Sequence, residues 1–234
     1  FGYNAFVTTG LKELAEAYMI TGDIRYGRAG LIMLDRLADV YPEYDLSAYP
    51  EYWNSHGMNF RGKMIGCIWE TFSTAIYARA YDAFFPLLGD EEVIKFLSKK
   101  AQEHGIENPK TSGDLIKQNI DFGIMQEAFR ATKNAQIRGN VGLTEEAVTA
   151  VAVALDTDYK TVNKFPTEFS VDNGATTTEM LELVFNSGEK AYEYITGLGL
   201  LNTLVEKVDR DGNGSEAGPG YNNLWISYNK NVAD

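Results

Sequence analysis

The chain has 234 residues, 44% of them hydrophobic and only 6 of them Pro, which suits one large domain or two small ones around a substantial core. Its net charge of −12, from 33 acidic against 21 basic residues, argues against the basic face that non-specific nucleic-acid binding needs. No apolar run approaches the ~20 residues required to cross a bilayer, and a single cysteine, Cys67, excludes an internal disulfide or a cysteine-rich metal site.

Helical periodicity dominates from the start. Leu11, Leu14, Ala15 and Tyr18 fall on one face, and Tyr26, Ala29, Met33 and Leu37 do the same after a break at Thr21-Gly22-Asp23. A loop rich in Tyr, Pro and Trp follows, "YPEYDLSAYPEYWNSHG". Ile65, Ile68, Trp69, Phe72 and Ile76 open a longer helix that ends near Pro86, and Cys67 within it reads as a packed core thiol. Further helices are expected around 91–104, 113–135, 143–156 and 188–208. The run Ala147–Leu155 is apolar nearly all round and predicts an enclosed helix. Residues 157–180, rich in Thr, Asp and Asn, read as an inserted loop. The turn-former stretch "DRDGNGSEAGPGYNN", residues 209–223, reads as another. Strand signals are nearly absent, so the expected fold is all-α, built from antiparallel helical hairpins. The chain opens Phe1-Gly2-Tyr3, without an initiator Met, and reads as a piece of a longer protein.

Four segments carry a resemblance. "LAEAYMITGDIRYGRAGLIML" resembles the helix–Gly-Asp–helix hairpin of the heparinase II/III-like polysaccharide lyases, and "GKMIGCIWETFSTAIYARAYD" resembles their following helix. "IRGNVGLTEEAVTAVAVAL" looks like the helix start that carries a functional Asn, and "DRDGNGSEAGPGYNNLW" resembles their "DG…E…GY-His" loop. The four occur in the family's order and span most of the chain. The resemblance implies that residues 1–234 form one incomplete (α/α)n toroid, without the family's C-terminal β-sandwich. It also implies a periplasmic or secreted lyase acting on an anionic polysaccharide or oligosaccharide. Two departures stand out: Val141 and Asn222 occupy positions where relatives often have His.

Cleavage of a uronic-acid chain by β-elimination removes a proton beside a carboxylate and breaks the O4 glycosidic bond. As charge builds on that carboxylate, a neutral donor or a cation must take it up. Asn140 is the expected donor, an amide at a helix start whose free backbone N–H groups also favour an anion. The competing role for Asn140 is a helix cap or a Gly-Asn turn. Tyr221 is expected to transfer the proton to the leaving oxygen. It can act as base only if a nearby cation lowers its pKa from about 10. The competing role is a Tyr packed at a helix start with its hydroxyl in water. His56 is a second expected proton carrier, or else a solvated loop residue. Trp53, Asn54, Arg61, Arg138, Glu216, Asn222 and Trp225 are expected substrate contacts, with Lys63 adding to a local basic cleft; for either Trp, core packing is the alternative.

Three further readings stay open. Asp209, Asp211 and Asn213 resemble the opening of a calcium loop, but Gly220 stands where its bidentate acid belongs; no other cofactor or metal site is expected. Glu216, Asp211 and Glu70 are possible carboxylates for an α/α-toroid glycoside hydrolase, which needs a pair roughly 5–10 Å apart. The absence of His at 141 and 222 suits a non-catalytic carbohydrate-binding toroid.

Overall fold

The computed structural model describes residues 4–46, 62–65, 69–134, 136–137, 139–140, 142–155, 174–186, 199–206, 208–211, 214 and 218–233. Among these residues every regular element is a helix, and the only extended pairing is one isolated antiparallel bridge between Val208 and Gly214. We number the α-helices α1 (Thr9–Thr21), α2 (Ile24–Ala38), α3 (Glu70–Phe84), α4 (Glu91–His104), α5 (Gly113–Ile120), α6 (Glu127–Lys133), α7 (Leu143–Ala154), α8 (Thr177–Asn186), α9 (Leu200–Glu206) and α10 (Pro219–Ala233). A π-helical turn, Asp121–Gln126, joins α5 to α6.

The helix boundaries follow local chemistry. Gly22, at φ 67°, closes α1 with its N–H on the Tyr18 carbonyl, a left-handed conformation that a Cβ would strain. Asp23 then caps α2 by accepting from the Arg25 N–H, and Asp90 caps α4 by accepting from Glu92 and Val93. The predicted break at Gly22-Asp23 and the predicted helix 91–104 both appear at those positions.

The chain divides into two units. The first comprises Phe1–Tyr44, Ile76–Glu127 and Ala154–Ala175. Its core gathers Leu11, Leu31, Leu34, Tyr41, Tyr77, Tyr81, Phe84, Ile116 and Ile120, with α2 packed against α1, α4 and α5. The buried face of α2 agrees with the expected one at Leu37 and in part at Met33, but not at Tyr26 and Ala29. Tyr26 and Ala29 are exposed, whereas Gly27, Gly30, Leu31, Leu34 and Leu37 are buried. The reason is close packing on glycine: a Cβ at Gly30 would lie 2.0 Å from Phe84 Cζ, and one at Gly27 2.3 Å from Leu87 Cδ1. Two residues without side chains thus share the contact face with Leu31, Leu34 and Leu37.

A buried ionic cluster ties the same unit together. Lys110 Nζ donates to Asp35 and, at 2.6 Å, to Asp39 Oδ1. Asn119 Nδ2 donates to the same two carboxylates, both at 2.9 Å. Burial, against the attraction of Lys110 and reinforced by Asp39, pushes Asp35 up to about 6 from its ordinary 3.8.

The second unit comprises Asp45–Ala75, Ala128–Val153 and Thr176–Asp234. Its buried apolar residues include Phe129, Ile137, Leu143, Ala147, Val148, Val151, Met180, Val184, Trp225 and Val232, and α8 packs on α9. The enclosed helix expected over 147–155 is α7, although Val153 faces solvent. Helix α8 lies partly where a loop was expected, in 157–180. Glu179 explains its start: its carboxylate accepts from the Thr176 N–H at 2.8 Å, while Thr176 Oγ1 accepts from the Glu179 N–H at 3.2 Å, a reciprocal capping box. Cys67 lies outside the described residues.

Two outcomes test this unit-level packing. Gly30→Ala forces a methyl into the Phe84 ring and should destabilise by about 1–3 kcal/mol, read as a lower thermal midpoint. For Asp35, a folded-state pKa above the unfolded one means that its contribution is fully present below about pH 4 and lost as pH rises through about 6. Denaturant unfolding of wild type and Asp35→Asn between pH 4 and 7 should therefore show the wild-type advantage shrinking as pH rises.

Candidate functional site

The geometry starts at the entry to α7. Gly142 has φ 87°, and a Cβ there would fall 2.7 Å from Tyr228 Cβ and 3.3 Å from Asn229 Oδ1. Glycine is therefore required twice over, for the left-handed backbone and for the close approach to α10. Asn140 lies two residues earlier, at most ~7 Å away along the chain, partly buried in a bend. Its carbonyl accepts from the Leu143 N–H at 2.9 Å.

The backbone donors of Gly139, Gly142 and Leu143, around this helix start, are already used and are not free for an anion. Glu145 Oε2 accepts from the Gly142 N–H at 2.9 Å, and Thr144 Oγ1 accepts from the Gly139 N–H at 3.0 Å. Burial pushes the Glu145 carboxyl up to about 6, against the hydrogen bonds from its own N–H and from Gly142. The entry to α7 thus holds an internal carboxyl group. The Gly139, Gly142 and Leu143 N–H groups go to Thr144, Glu145 and the Asn140 carbonyl, and none of the three goes to the Asn140 side chain.

Tyr221 stands in the first turn of α10, where it had been expected on the preceding loop. Pro219 begins the helix, a position where its fixed φ and missing N–H cost nothing. The Tyr221 ring is 56% exposed. Tyr228 follows seven residues later, so the two Tyr share a face of α10, separated by roughly 10 Å along the axis. Gly142 thus meets α10 at Tyr228, on the face that carries Tyr221 about two turns earlier.

Other expected contacts fare differently. Trp225 is 5% exposed, with its ring against Gly214, where a Cβ would come within 2.9 Å of Cε3; packing is its role. The Asn222 Oδ1 is buried beside the same glycine. Lys63 is buried and does not present a cation to solvent. Asp209 and Asp211 are exposed, and no group of three or more possible metal ligands gathers among the described residues. His56, Trp53, Asn54, Arg61, Arg138, Val141, Asn213 and Glu216 lie outside the described residues.

Glu70 is buried, and both its oxygens are engaged. Oε2 accepts from the Lys63 N–H at 2.7 Å and Oε1 from the Met64 N–H at 2.9 Å. It is an anchor for the 63–64 backbone, and it offers no free carboxylate to a hydrolase.

Sequence reasoning missed three participants. Tyr228 borders the region, its phenol pushed above the ordinary 10 by burial and then by Glu146, so it is a donor and not a base at neutral pH. Glu146 accepts from Asn231 Nδ2 at 3.0 Å. Trp69, placed by periodicity on a helix face, is 54% exposed beside Phe72. The seven-residue spacing of Tyr221 and Tyr228 is a signal that was present; nothing in the sequence marks Glu145 and Glu146 as buried. Among the described residues, no helix is long and apolar enough to cross a membrane.

Removing the Glu145 carboxyl tests this construction. Glu145→Ala leaves the Gly142 N–H without an acceptor and should cost about 1–3 kcal/mol in urea unfolding at pH 7. Glu145→Gln keeps an acceptor without a buried charge and should match wild type or exceed it. Compared with protein-family models, with curated proteins and with solved structures, the chain gives no match.

Proposed function

We propose that the chain is the helical catalytic part of a heparinase II/III-like polysaccharide lyase that cleaves a uronic-acid polysaccharide by β-elimination. The observation that carries this reading is the packing of Gly142 onto α10 at Tyr228, which sets the segment that carries Asn140 against the helix that carries Tyr221 within one unit. Asn140 supplies a neutral amide donor to the substrate carboxylate as charge develops on it. Tyr221, exposed at the start of α10, gives its phenolic proton to the leaving O4. His56 is the proposed second proton carrier, the base that takes the proton from the carbon beside the carboxylate as the O4 bond breaks and the double bond forms. Arg61 and Arg138 are the proposed cations beside the substrate carboxylate, with Trp53, Asn54 and Glu216 as further contacts.

The helical pairs support an incomplete α/α toroid as the architecture. Helices α1 and α2 pack together across a two-residue link, and α8 packs on α9. A short link between packed neighbours, as between α1 and α2, makes an antiparallel hairpin, the unit from which such toroids are built. A periplasmic or secreted location goes with a polymeric uronate substrate. The hydrolase alternative loses one of its carboxylates, because Glu70 is committed to the backbone of Lys63 and Met64.

The test is ultraviolet absorbance of the unsaturated uronate, measured with the full-length protein on a panel of uronic-acid polymers. Wild type should form the product on at least one polymer. Asn140→Ala should lower kcat by about 10²–10³-fold and Tyr221→Phe by about 10²–10⁴-fold, with fold retained by circular dichroism. Saturated products, or turnover unchanged in Tyr221→Phe, would remove the mechanism.

A further inference from the structure

Buried ion pairs repay the cost of leaving water only in part, so the polar cluster inside the first unit calls for a role besides stability. Lys110 is 1% exposed and Asp35 0%. Lys110 Nζ donates to Asp35 Oδ2 and, at 2.6 Å, to Asp39 Oδ1. Asn119 Nδ2 donates to the other Asp35 oxygen, Oδ1, at 2.9 Å. One amine and one amide thus hold the two oxygens of a single carboxyl group, and a second carboxylate touches both donors.

The amine is positioned from behind. Lys110 has φ 51° and is the only non-glycine residue at positive φ among the described residues, a conformation that its surroundings must hold. Asn108 does so: its Oδ1 accepts from the Lys110 N–H at 2.9 Å, and its Nδ2 donates to the Leu115 carbonyl at 2.9 Å. An amine hydrogen-bonded to a carboxyl oxygen lies roughly 3–3.5 Å from the carboxyl carbon, the separation of a near-attack arrangement. Rotation about the soft Cβ–Cγ torsion of Asp35 turns the face of that carbon toward Nζ. Burial favours the neutral acid, the form that an amine attacks, and pushes Asp35 up to about 6.

We propose that Lys110 and Asp35 condense into an intramolecular isopeptide bond, with Asp39 as the proton relay and Asn119 as the donor to the developing oxyanion. The Nζ–Cγ bond forms, the Cγ–Oδ2 bond breaks, and Oδ2 leaves as water. Of the three ammonium protons, one stays on the amide nitrogen and two leave with Oδ2. The first crosses the Lys110–Asp35 hydrogen bond; the second passes through Asp39 Oδ1, which ends as it began. No oxidant or co-reactant takes part. Asn119 Nδ2 meets the charge that gathers on Oδ1 in the tetrahedral intermediate, and side chains this deeply buried exclude the bulk water that would reverse the step. Asp39 has its other oxygen held by Arg36 Nη1 at 3.2 Å, which suits it to relay protons and not to condense. The product ties α2 to the segment that leads into α5, 75 positions away. Asp35 titrates as described above only in the open form, since closure consumes its carboxyl. The bond is independent of the lyase reading, and either can fail alone.

The test is the intact mass of the full chain under denaturing conditions, taken fresh and after prolonged incubation at pH 6, followed by a tryptic map. A species lighter by one water should accumulate, and the peptide ending at Arg36 should be joined to one that spans an uncleaved Lys110. Lys110→Arg keeps the positive charge without the amine and should hold its full sequence mass. Asp39→Asn should close about 10²-fold more slowly, with its fold checked by circular dichroism. Where a variant does not fold, the wild-type mass and map decide alone. Folded wild type that keeps its full mass throughout overturns the proposal. A water loss that maps to residues other than Lys110 and Asp35 also overturns it, as does closure equally fast in folded Asp39→Asn.

Discussion

The contact between Gly142 and α10 governs what the second unit can do. A backbone at φ 87° with Tyr228 Cβ in the space of a missing side chain leaves no room for any other residue. Through that contact the bend carrying Asn140 and the helix carrying Tyr221 become neighbours within one unit, although 81 positions of sequence number separate them. The surrounding polar groups then fall into place: Glu145 closes the helix start, and Glu146 and Asn231 tie α7 to α10. The proposed β-elimination assigns the amide donor to that bend and the proton donor to that helix, with Tyr221 roughly 10 Å along α10 from the Tyr228 contact.

Carboxylates recur in one structural role across both units. Asp23 and Asp90 cap α2 and α4, Glu70 holds Lys63 and Met64, Glu145 holds Gly142, and Glu179 holds Thr176. Each places a negative group at or just before a helix start, where unpaired N–H donors and the helix dipole favour it. Part of the acidic excess is therefore structural. Several of the charges behind the net −12 are thus turned inward onto backbone donors, which weakens the repulsion that the proposed anionic substrate would meet. The same inward placement explains why burial raises Glu145, as it raises Asp35 beside Lys110.

Much of the helical layout was legible in the sequence, and the misses have physical causes. The break at Gly22-Asp23 and the helix 91–104 were visible because glycine and a capping Asp mark ends directly. The core face of α2 was read correctly at Leu37 but wrongly at Tyr26 and Ala29, because Gly27 and Gly30 contribute contact without side chains, which no count of apolar residues registers. Tyr221 was expected on a loop because turn formers precede it, yet Pro219 is itself a helix-start residue. Helix α8 was hidden by its Thr-rich entry, although the Thr176–Glu179 capping box was there to be found. At the candidate site the sequence singled out Asn140 and Tyr221, but not Tyr228, Glu145 or Trp69. Their roles arise from contacts between distant segments, and periodicity reports only a residue's own helix.

The central claim is that one sugar is touched by both the Asn140 amide and the Tyr221 ring. A crystal structure of the full-length Tyr221→Phe protein with a uronate tetrasaccharide tests it most directly. The account predicts Asn140 Nδ2 about 3 Å from a uronate carboxylate oxygen, with the ring at 221 over the glycosidic oxygen of that same sugar. An Asn140 amide and a residue-221 ring on different sugars, or facing away from the bound chain, would contradict it.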